Sequence, residues 1–163
     1  MFLSLFGKHL EVLDKSVNPL CAKHTFAAAV DPHARTKGFS NMQTIKLLSR
    51  RKAAPTLFVL EFERPADYSF RAGQFARLGM ELEPGAAPVI RGYSIASAPE
   101  APTLEFFITA VKDGQLSPKI TALEPGQSVL LDGPAEGSLT PDRIPGGSTL
   151  WLLATGSGLS PFA

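Results

Sequence analysis

Cysteine and histidine are nearly absent from this 163-residue sequence, and the few that occur lie close to its start. The single cysteine is Cys21, and the three histidines are His9, His24 and His33. From Met42 onwards the chain therefore has no residues for a Cys/His zinc site, a disulfide, or a Ser-His or Cys-His nucleophile pair. We expect no metal there, and any redox chemistry must come from an organic cofactor.

The sequence also lacks a strong charge imbalance and a long hydrophobic run. Its formal net charge is +1, which gives no reason to expect nucleic acid or a membrane surface as a partner. The first apolar run, MFLSLFGKHLEVL, is interrupted by Lys8 and His9 before it reaches the length of a secretory or membrane-spanning segment. These features predict a cytoplasmic protein.

Residues 1–41 show neither a strand alternation nor a long helical stripe. Two interpretations fit this pattern: a targeting or docking arm, or an extension outside the folded domain. The extension would be disordered, or would reflect translation from a start codon upstream of Met42. We expect the extension.

From Met42 the pattern becomes that of β-strands. Apolar-rich runs bounded by Gly and Pro turns follow one another: TIKLLSRRK, TLFVLEFERP, GQFARLGMEL, APVIRGYSIAS, TLEFFITAV and finally SVLLDGP. Strands at this spacing, with no long helical pattern between them, predict an antiparallel barrel or sandwich over residues 42–147.

One short helix is predicted inside this β region, in DGQLSPKITALEPG. Ser117 is placed as its N-cap and Pro118 at its first helical position, while Ile120 and Leu123 face one way. The free N–H groups at the start of such a helix favour a phosphate.

The sequence ends in TLWLLATGSGLSPFA, an apolar run that leads into a glycine-rich turn. This pattern is typical of a buried parallel strand that opens a βα unit. We expect residues 148–163 to be the truncated start of an α/β nucleotide-binding domain.

The stretch IRGYSIASAP combines an arginine, a tyrosine and hydroxyls within a predicted strand. Arg91 and Tyr93 project from one face of a strand, about 7 Å apart, and Ser94 projects from the other. A guanidinium can bind a diphosphate bidentately, and a phenol ring can stack on a flat heterocycle. The pair indicates either a dinucleotide pocket or an ordinary surface pair.

The motif Arg91-Gly92-Tyr93-Ser94 resembles the Arg-x-Tyr-Ser signature of the ferredoxin–NADP reductase family, bacterial type. AGQFARLG, LEFFITAVKDGQLSPKI and WLLATGSGLSPF resemble neighbouring segments of that family in the correct order. The resemblance implies a six-stranded antiparallel Greek-key barrel with one short capping helix, which binds FAD. It also implies that the chain holds the FAD-binding domain and only the first strand of the nucleotide-binding domain.

The resemblance implies a role for each residue of the motif. Arg91 would hold the FAD diphosphate, Tyr93 would contact the flavin and ribityl chain, and Ser94 would approach flavin N5, so that Tyr93 and Ser94 are the catalytic candidates. The chain departs from the family at Gly92, where alanine is common, and at Ser157, where threonine is. The full set of implied cofactor contacts is Arg91, Gly92, Tyr93, Ser94, Phe107, Ile108, Thr109, Gln115, Leu116, Ser117 and Ser157, with weaker contacts at Phe75 and Pro55.

The family's reaction implies electron transfer between NADPH, FAD and a small carrier, ferredoxin or flavodoxin. Two alternatives stay open: a reductase component of an oxygenase or a flavin reductase, and a non-enzymatic, truncated flavin-binding product. The sequence does not distinguish NADPH from NADH. The basic run Arg50-Arg51-Lys52 is interpreted as a solvated strand end rather than a docking site for an acidic carrier.

Overall fold

The structure is a computed structural model, and it describes residues 42–163. The extension expected at residues 1–41 lies outside the described residues and stays a prediction.

Six strands form one sheet in which every neighbouring pair is antiparallel. Three of the five neighbouring pairs join strands that are not consecutive in the chain, as Greek-key connectivity requires. The predicted all-β, six-stranded antiparallel fold is confirmed. The strands, in the spatial order β4-β3-β6-β1-β2-β5, are β1 (Met42–Lys52), β2 (Leu57–Glu63), β3 (Phe75–Met80), β4 (Val89–Ser94), β5 (Thr103–Thr109) and β6 (Ser128–Glu136).

The sheet does not close into a continuous barrel, which corrects the expectation of a barrel in the strict sense. Strands β4 and β5 are its two edges, and a single isolated bridge, Ile95 to Phe106, joins them. The connection between these strands contains Pro99 and Pro102, which have no N–H to donate to a ladder. A closed six-stranded barrel would have a sixth ladder of hydrogen bonds between β4 and β5, and here a single bridge takes its place.

The core lies on the inner face of the sheet. Strand β5 shows the reason, since Leu104, Phe106 and Ile108 are buried while the residues between them are half-buried. Phe106 meets Phe62 of β2 edge-to-face, with ring centroids 6.0 Å apart. Alternation in the sequence thus decides which side of each strand packs inward.

The predicted helix is present as α1 (Ser117–Thr121), with Ile120 fully buried against the sheet. Its N-cap is Leu116 rather than Ser117, so that prediction was wrong. The Ser117 hydroxyl instead accepts a hydrogen bond from the Val111 N–H at 3.1 Å, which turns it away from the helix N–H groups. Of the described helices, none is long and apolar enough to cross a membrane.

The C-terminal residues do not form the predicted buried strand. Residues 150–154 have no regular structure, and Trp151 and Leu153 are 81% and 86% exposed. A strand requires a neighbour to accept its backbone hydrogen bonds, and no parallel neighbour exists among residues 42–163. A 3₁₀ helix, Gly156–Phe162, follows, with Ser160 buried against the end of β4.

Candidate functional site

A cleft of about 410 Å³ opens between the edge strands β4 and β5. Its volume lies within the range of small-molecule sites in proteins. Five parts of the chain line it: β4, β5, the loop that leads into α1, the first residue of α1, and the C-terminal 3₁₀ helix. The lining residues are Arg91, Gly92, Tyr93, Phe107, Ile108, Thr109, Val111, Gly114, Gln115, Leu116, Ser117 and Ser157.

Strand register places Arg91 and Tyr93 on the cleft side of β4. Arg91 pairs with Leu78 and Tyr93 with Ala76, and both partners are fully buried residues of the inner face. Successive side chains alternate along a strand, so the intervening Gly92 belongs to the outer face. The expectation that Arg91 and Tyr93 share one face agrees with this register.

The Arg91 guanidinium reaches from β4 to the loop before α1. It donates to the Ile90 carbonyl at 2.8 Å and to Gln115 Oε1 at 3.2 Å. A guanidinium has five N–H donors, so these two bonds leave donors for an anion. Because the arginine is exposed, its charge is available to a ligand in the cleft.

The Tyr93 ring is half-buried beside Arg91. Burial raises the pKa of its phenol above the ordinary value, and the Arg91 charge offsets part of that rise. The hydroxyl is therefore protonated at neutral pH and able to donate a hydrogen bond, while the ring offers an aromatic surface.

The loop before α1 is held in a compact turn. The Gly114 N–H donates to the Val111 carbonyl at 3.0 Å, and Asp113 has φ +62°, a conformation that Asp tolerates. A Cβ at Gly114 would lie 3.0 Å from the Val111 oxygen and 3.2 Å from Ser117 Oγ, so this turn favours glycine. Among the described residues, the backbone N–H groups at positions 115, 116 and 117 form no hydrogen bond. Three consecutive residues that line the cleft therefore have backbone donors without a partner in this part of the chain.

Strand β5 and the C-terminal 3₁₀ helix complete the cleft. Phe107 and Thr109 have half-buried side chains, whereas Ile108 is a core residue with 1% exposure. Leu116 is likewise buried, so Ile108 and Leu116 present mainly backbone to a ligand. Ser157 brings a hydroxyl from the 3₁₀ helix.

Three of the residues predicted as contacts lie outside the lining of the cleft. Ser94 ends β4, and its carbonyl accepts a hydrogen bond from buried Ser160 Oγ at 2.7 Å. Phe75 pairs with Ser94 on β3. Pro55 lies in the exposed hairpin loop between β1 and β2.

Two lining residues, Val111 and Gly114, were not predicted. Both belong to the loop before α1, and their contribution is the backbone geometry of a tight turn. The sequence signal that marks them is the Asp113-Gly114 pair, which is typical of turns.

Comparison with known proteins gives a consistent family. The family model described as the oxidoreductase FAD-binding domain matches residues 44–139. The flavodoxin/ferredoxin–NADP reductase of Escherichia coli K12 is 42% identical over 106 residues, which cover 65% of this chain and 42% of that protein. The corresponding Rhodobacter capsulatus protein is 36% identical over 132 residues, which cover 81% of this chain and 48% of that protein.

A solved structure agrees with these sequence matches. The ferredoxin NADP⁺ reductase of Neisseria gonorrhoeae, with bound FAD and NADP, is 40% identical and superposes with a TM-score of 0.69, covering 74% of this chain and 48% of that one. The chain spans less than half the length of these relatives. Since the family model matches more than half of the chain, the chain belongs to the oxidoreductase FAD-binding domain family, as a member of the ferredoxin–NADP reductase group.

Proposed function

We propose that the cleft between β4 and β5 binds FAD and that the chain serves a reductase that passes electrons between NADPH and ferredoxin or flavodoxin. The observation that carries the proposal is one juxtaposition: Arg91, Tyr93 and residues 115–117 line a single cleft. Arg91 has donors left over, Tyr93 is half-buried, and within residues 42–163 the backbone N–H groups at 115–117 have no hydrogen-bond partner.

The residues present fit the chemistry of FAD. A diphosphate requires several donors, which Arg91 and the backbone at 115–117 supply. A flavin ring requires flat apolar surface, and Tyr93 and Phe107 provide it at the same cleft. When bound, FAD supplies a ring that accepts a hydride and releases electrons singly.

Each group of the cleft has a distinct task in this proposal. Arg91 neutralises the diphosphate and, through its bond to Gln115, ties β4 to the loop that holds the same anion. Tyr93 orients the ring and donates its phenol proton as a hydrogen bond without losing it. Roles for Ser94 and Ser157 near the reacting part of the flavin remain predictions from the family resemblance.

FAD titration of the 163-residue chain tests this assignment. We expect saturable binding of one FAD, and we expect Arg91→Ala to weaken it by about 2–4 kcal/mol because charge-assisted hydrogen bonds are lost. Arg91→Lys should recover only part of the affinity, since an ammonium cannot bind bidentately. The matched control is Arg51→Ala, which removes an exposed arginine of β1.

Two results contradict the proposal. If the unmodified chain does not bind FAD, the proposed function is wrong. If Arg91→Ala binds FAD with unchanged affinity, Arg91 is not part of the diphosphate site. Equal losses of FAD affinity in the Arg91 and Arg51 variants would mean that Arg91 acts only through the net charge of the protein.

The reductase activity is tested separately with NADPH and ferricyanide on the FAD-loaded chain. Bleaching of the yellow colour by NADPH, with turnover, supports a reductase. Bound FAD without bleaching restricts this chain to flavin binding. A cytoplasmic location is also part of the proposal, and only the sequence supports it.

A further inference from the structure

By strand alternation Phe75 lies on the face of the sheet opposite Arg91 and Tyr93, and its ring lies beside two glycines. A Cβ built on Gly92 would lie 3.1 Å and 3.3 Å from Cδ2 and Cε2 of the ring. A Cβ built on Gly137 would lie 3.1 Å and 3.4 Å from Cδ1 and Cε1. The two sides of the ring therefore each leave room for a glycine and no room for a larger residue without a shift, one in β4 and one just after β6.

The two glycines are required for different reasons. Gly137 has φ +114°, a conformation that other residues rarely adopt. Gly92 is not among the residues with positive φ, so its backbone conformation alone does not require glycine. Glycine weakens a strand interior, and one physical reason to keep it there is the close approach of another group. Here the approaching group is the Phe75 ring.

Gly92 stands between the two principal residues of the cleft. Arg91 and Tyr93 project inward from either side of it, while Phe75 presses on it from outside. Beside the ring, Arg77 pairs with Gly92 in the ladder and forms ion pairs of 3.1 Å with Asp132 and 3.3 Å with Glu136. The outer face of β4 is therefore supported where the inner face carries the site.

We propose that Phe75 is a positioning residue: it acts through Gly92 to fix the β4 backbone and thereby sets the placement of Arg91 and Tyr93. This rests on the proposed function for the identity of the ligand, FAD. It goes beyond that function because Phe75 does not line the cleft. The weaker FAD contact that the family resemblance implies at Phe75 stays a prediction, and the positioning role does not depend on it. Gly92, where the family commonly has alanine, provides the space that the Phe75 ring occupies.

FAD titration of four variants tests the coupling: Phe75→Ala, Gly92→Ala, Phe75→Leu and the double variant Gly92→Ala/Phe75→Leu. We expect Phe75→Ala and Gly92→Ala each to weaken FAD binding about tenfold, since small displacements of binding groups are costly. The double variant should bind FAD more tightly than Gly92→Ala alone, because the shorter leucine leaves room for the added methyl group. The matched control is Gly146→Ala, where an added Cβ meets nothing within 4 Å and φ is not positive.

A second readout is independent of FAD. The chain has two tyrosines, so Tyr68→Phe leaves Tyr93 as the only phenol, and its ionisation can be followed by ultraviolet absorbance. In that background, Phe75→Ala should lower the pKa of Tyr93 towards its ordinary value, because a displaced β4 exposes the ring. If the unmodified chain does not bind FAD, the proposed function fails while this titration still tests Phe75.

A purely structural role for Phe75 predicts different results. In that case the unfolding midpoint would fall in every variant, including the double one. The pKa of Tyr93 in the folded protein would stay unchanged. Failure of Phe75→Leu to improve FAD binding in the Gly92→Ala background, or an unmoved Tyr93 titration in Phe75→Ala, overturns the proposal.

Discussion

Tyr68 and Tyr93, the two tyrosines of the chain, have raised pKa values for the same main reason and lie in very different surroundings. Burial disfavours the phenolate at both positions. Tyr68 is 7% exposed, and its hydroxyl is the one buried side-chain polar atom of residues 42–163 without a hydrogen-bond partner. Tyr93 is half-buried and opens into the cleft beside Arg91.

The cavity beside Tyr68 and the cleft beside Tyr93 also differ in size and in the sign of the charged residue that borders each. The first measures about 110 Å³ and is bordered by Gln43, Asp67 and Ser69. The second measures about 410 Å³ and is lined by Arg91 and by residues 115–117, whose backbone N–H groups have no partner within residues 42–163. A raised pKa marks burial in both places, so it does not identify a site by itself. The candidate site is distinguished by the larger cleft and by the arginine that borders it.

Alanine substitution of each tyrosine gives the largest expected effects and separates the two regions. Tyr68→Ala should lower the free energy of unfolding by about 3–5 kcal/mol, because a buried aromatic side chain leaves a cavity. Tyr93→Ala should cost only about 1 kcal/mol of stability, as its ring is partly solvated, yet weaken FAD binding roughly tenfold through lost stacking. Urea unfolding and FAD titration measure the two quantities.

The distinction between the two regions fails if the two substitutions change stability and FAD affinity by the same amounts. Equal stability losses would mean that Tyr93 is a core residue in energetic terms. If folded Tyr68→Ala loses as much FAD affinity as Tyr93→Ala, the assignment of the binding site to the cleft is wrong.

The next largest expected effect is a loss of folding stability at alkaline pH, caused by the buried phenol of Tyr68. Burial, followed by the Glu136 charge, raises the pKa of Tyr68 from 10.0 to about 12. Because the folded protein resists deprotonation more than the unfolded chain does, the stabilisation is complete below pH 10 and is lost as the pH rises through about 12. The expected loss is roughly 1–3 kcal/mol.

Urea unfolding at pH 7 and above pH 10 measures this loss, and Tyr68→Phe is its control. The phenylalanine variant should lose most of the alkaline dependence. Its stability at pH 7 should change by less than about 1 kcal/mol, since the deleted hydroxyl has no partner. An unchanged alkaline profile in Tyr68→Phe would assign the effect to other groups.

The smallest expected effect concerns the electrostatic contact inside the cleft. In the Tyr68→Phe background, Arg91→Ala should raise the pKa of Tyr93 further, because the guanidinium charge that favours the phenolate is removed. Absorbance titration measures it. A lowered pKa would show that Arg91 acts on Tyr93 mainly by covering it.

Local periodicity predicted much of this structure, because it depends only on neighbouring residues. The alternation of apolar residues indicated all six strands, and the two-residue spacing of Arg91 and Tyr93 indicated their common face. The helix was predicted for the same kind of reason, from Pro118 and the spacing of Ile120 and Leu123.

Features that depend on distant partners were missed. The N-cap was misplaced because the Ser117 hydroxyl is engaged by the Val111 N–H, and the strand at residues 150–154 is absent because no neighbour pairs with it. The closeness of Phe75 to Gly92 and Gly137 could not be predicted, because these glycines become its neighbours only in the folded sheet. Incomplete closure of the barrel likewise depends on contacts between edge strands.

The most direct test of the central claim is an amide chemical-shift map of the isotope-labelled chain during FAD titration. We predict that the largest changes fall on the amides of Arg91–Tyr93, residues 107–109 and 114–117, and Ser157, with Gln43 and residues 67–69 nearly unmoved. Changes concentrated around Tyr68, or none at saturating FAD, would contradict the assignment of the cleft as the FAD site.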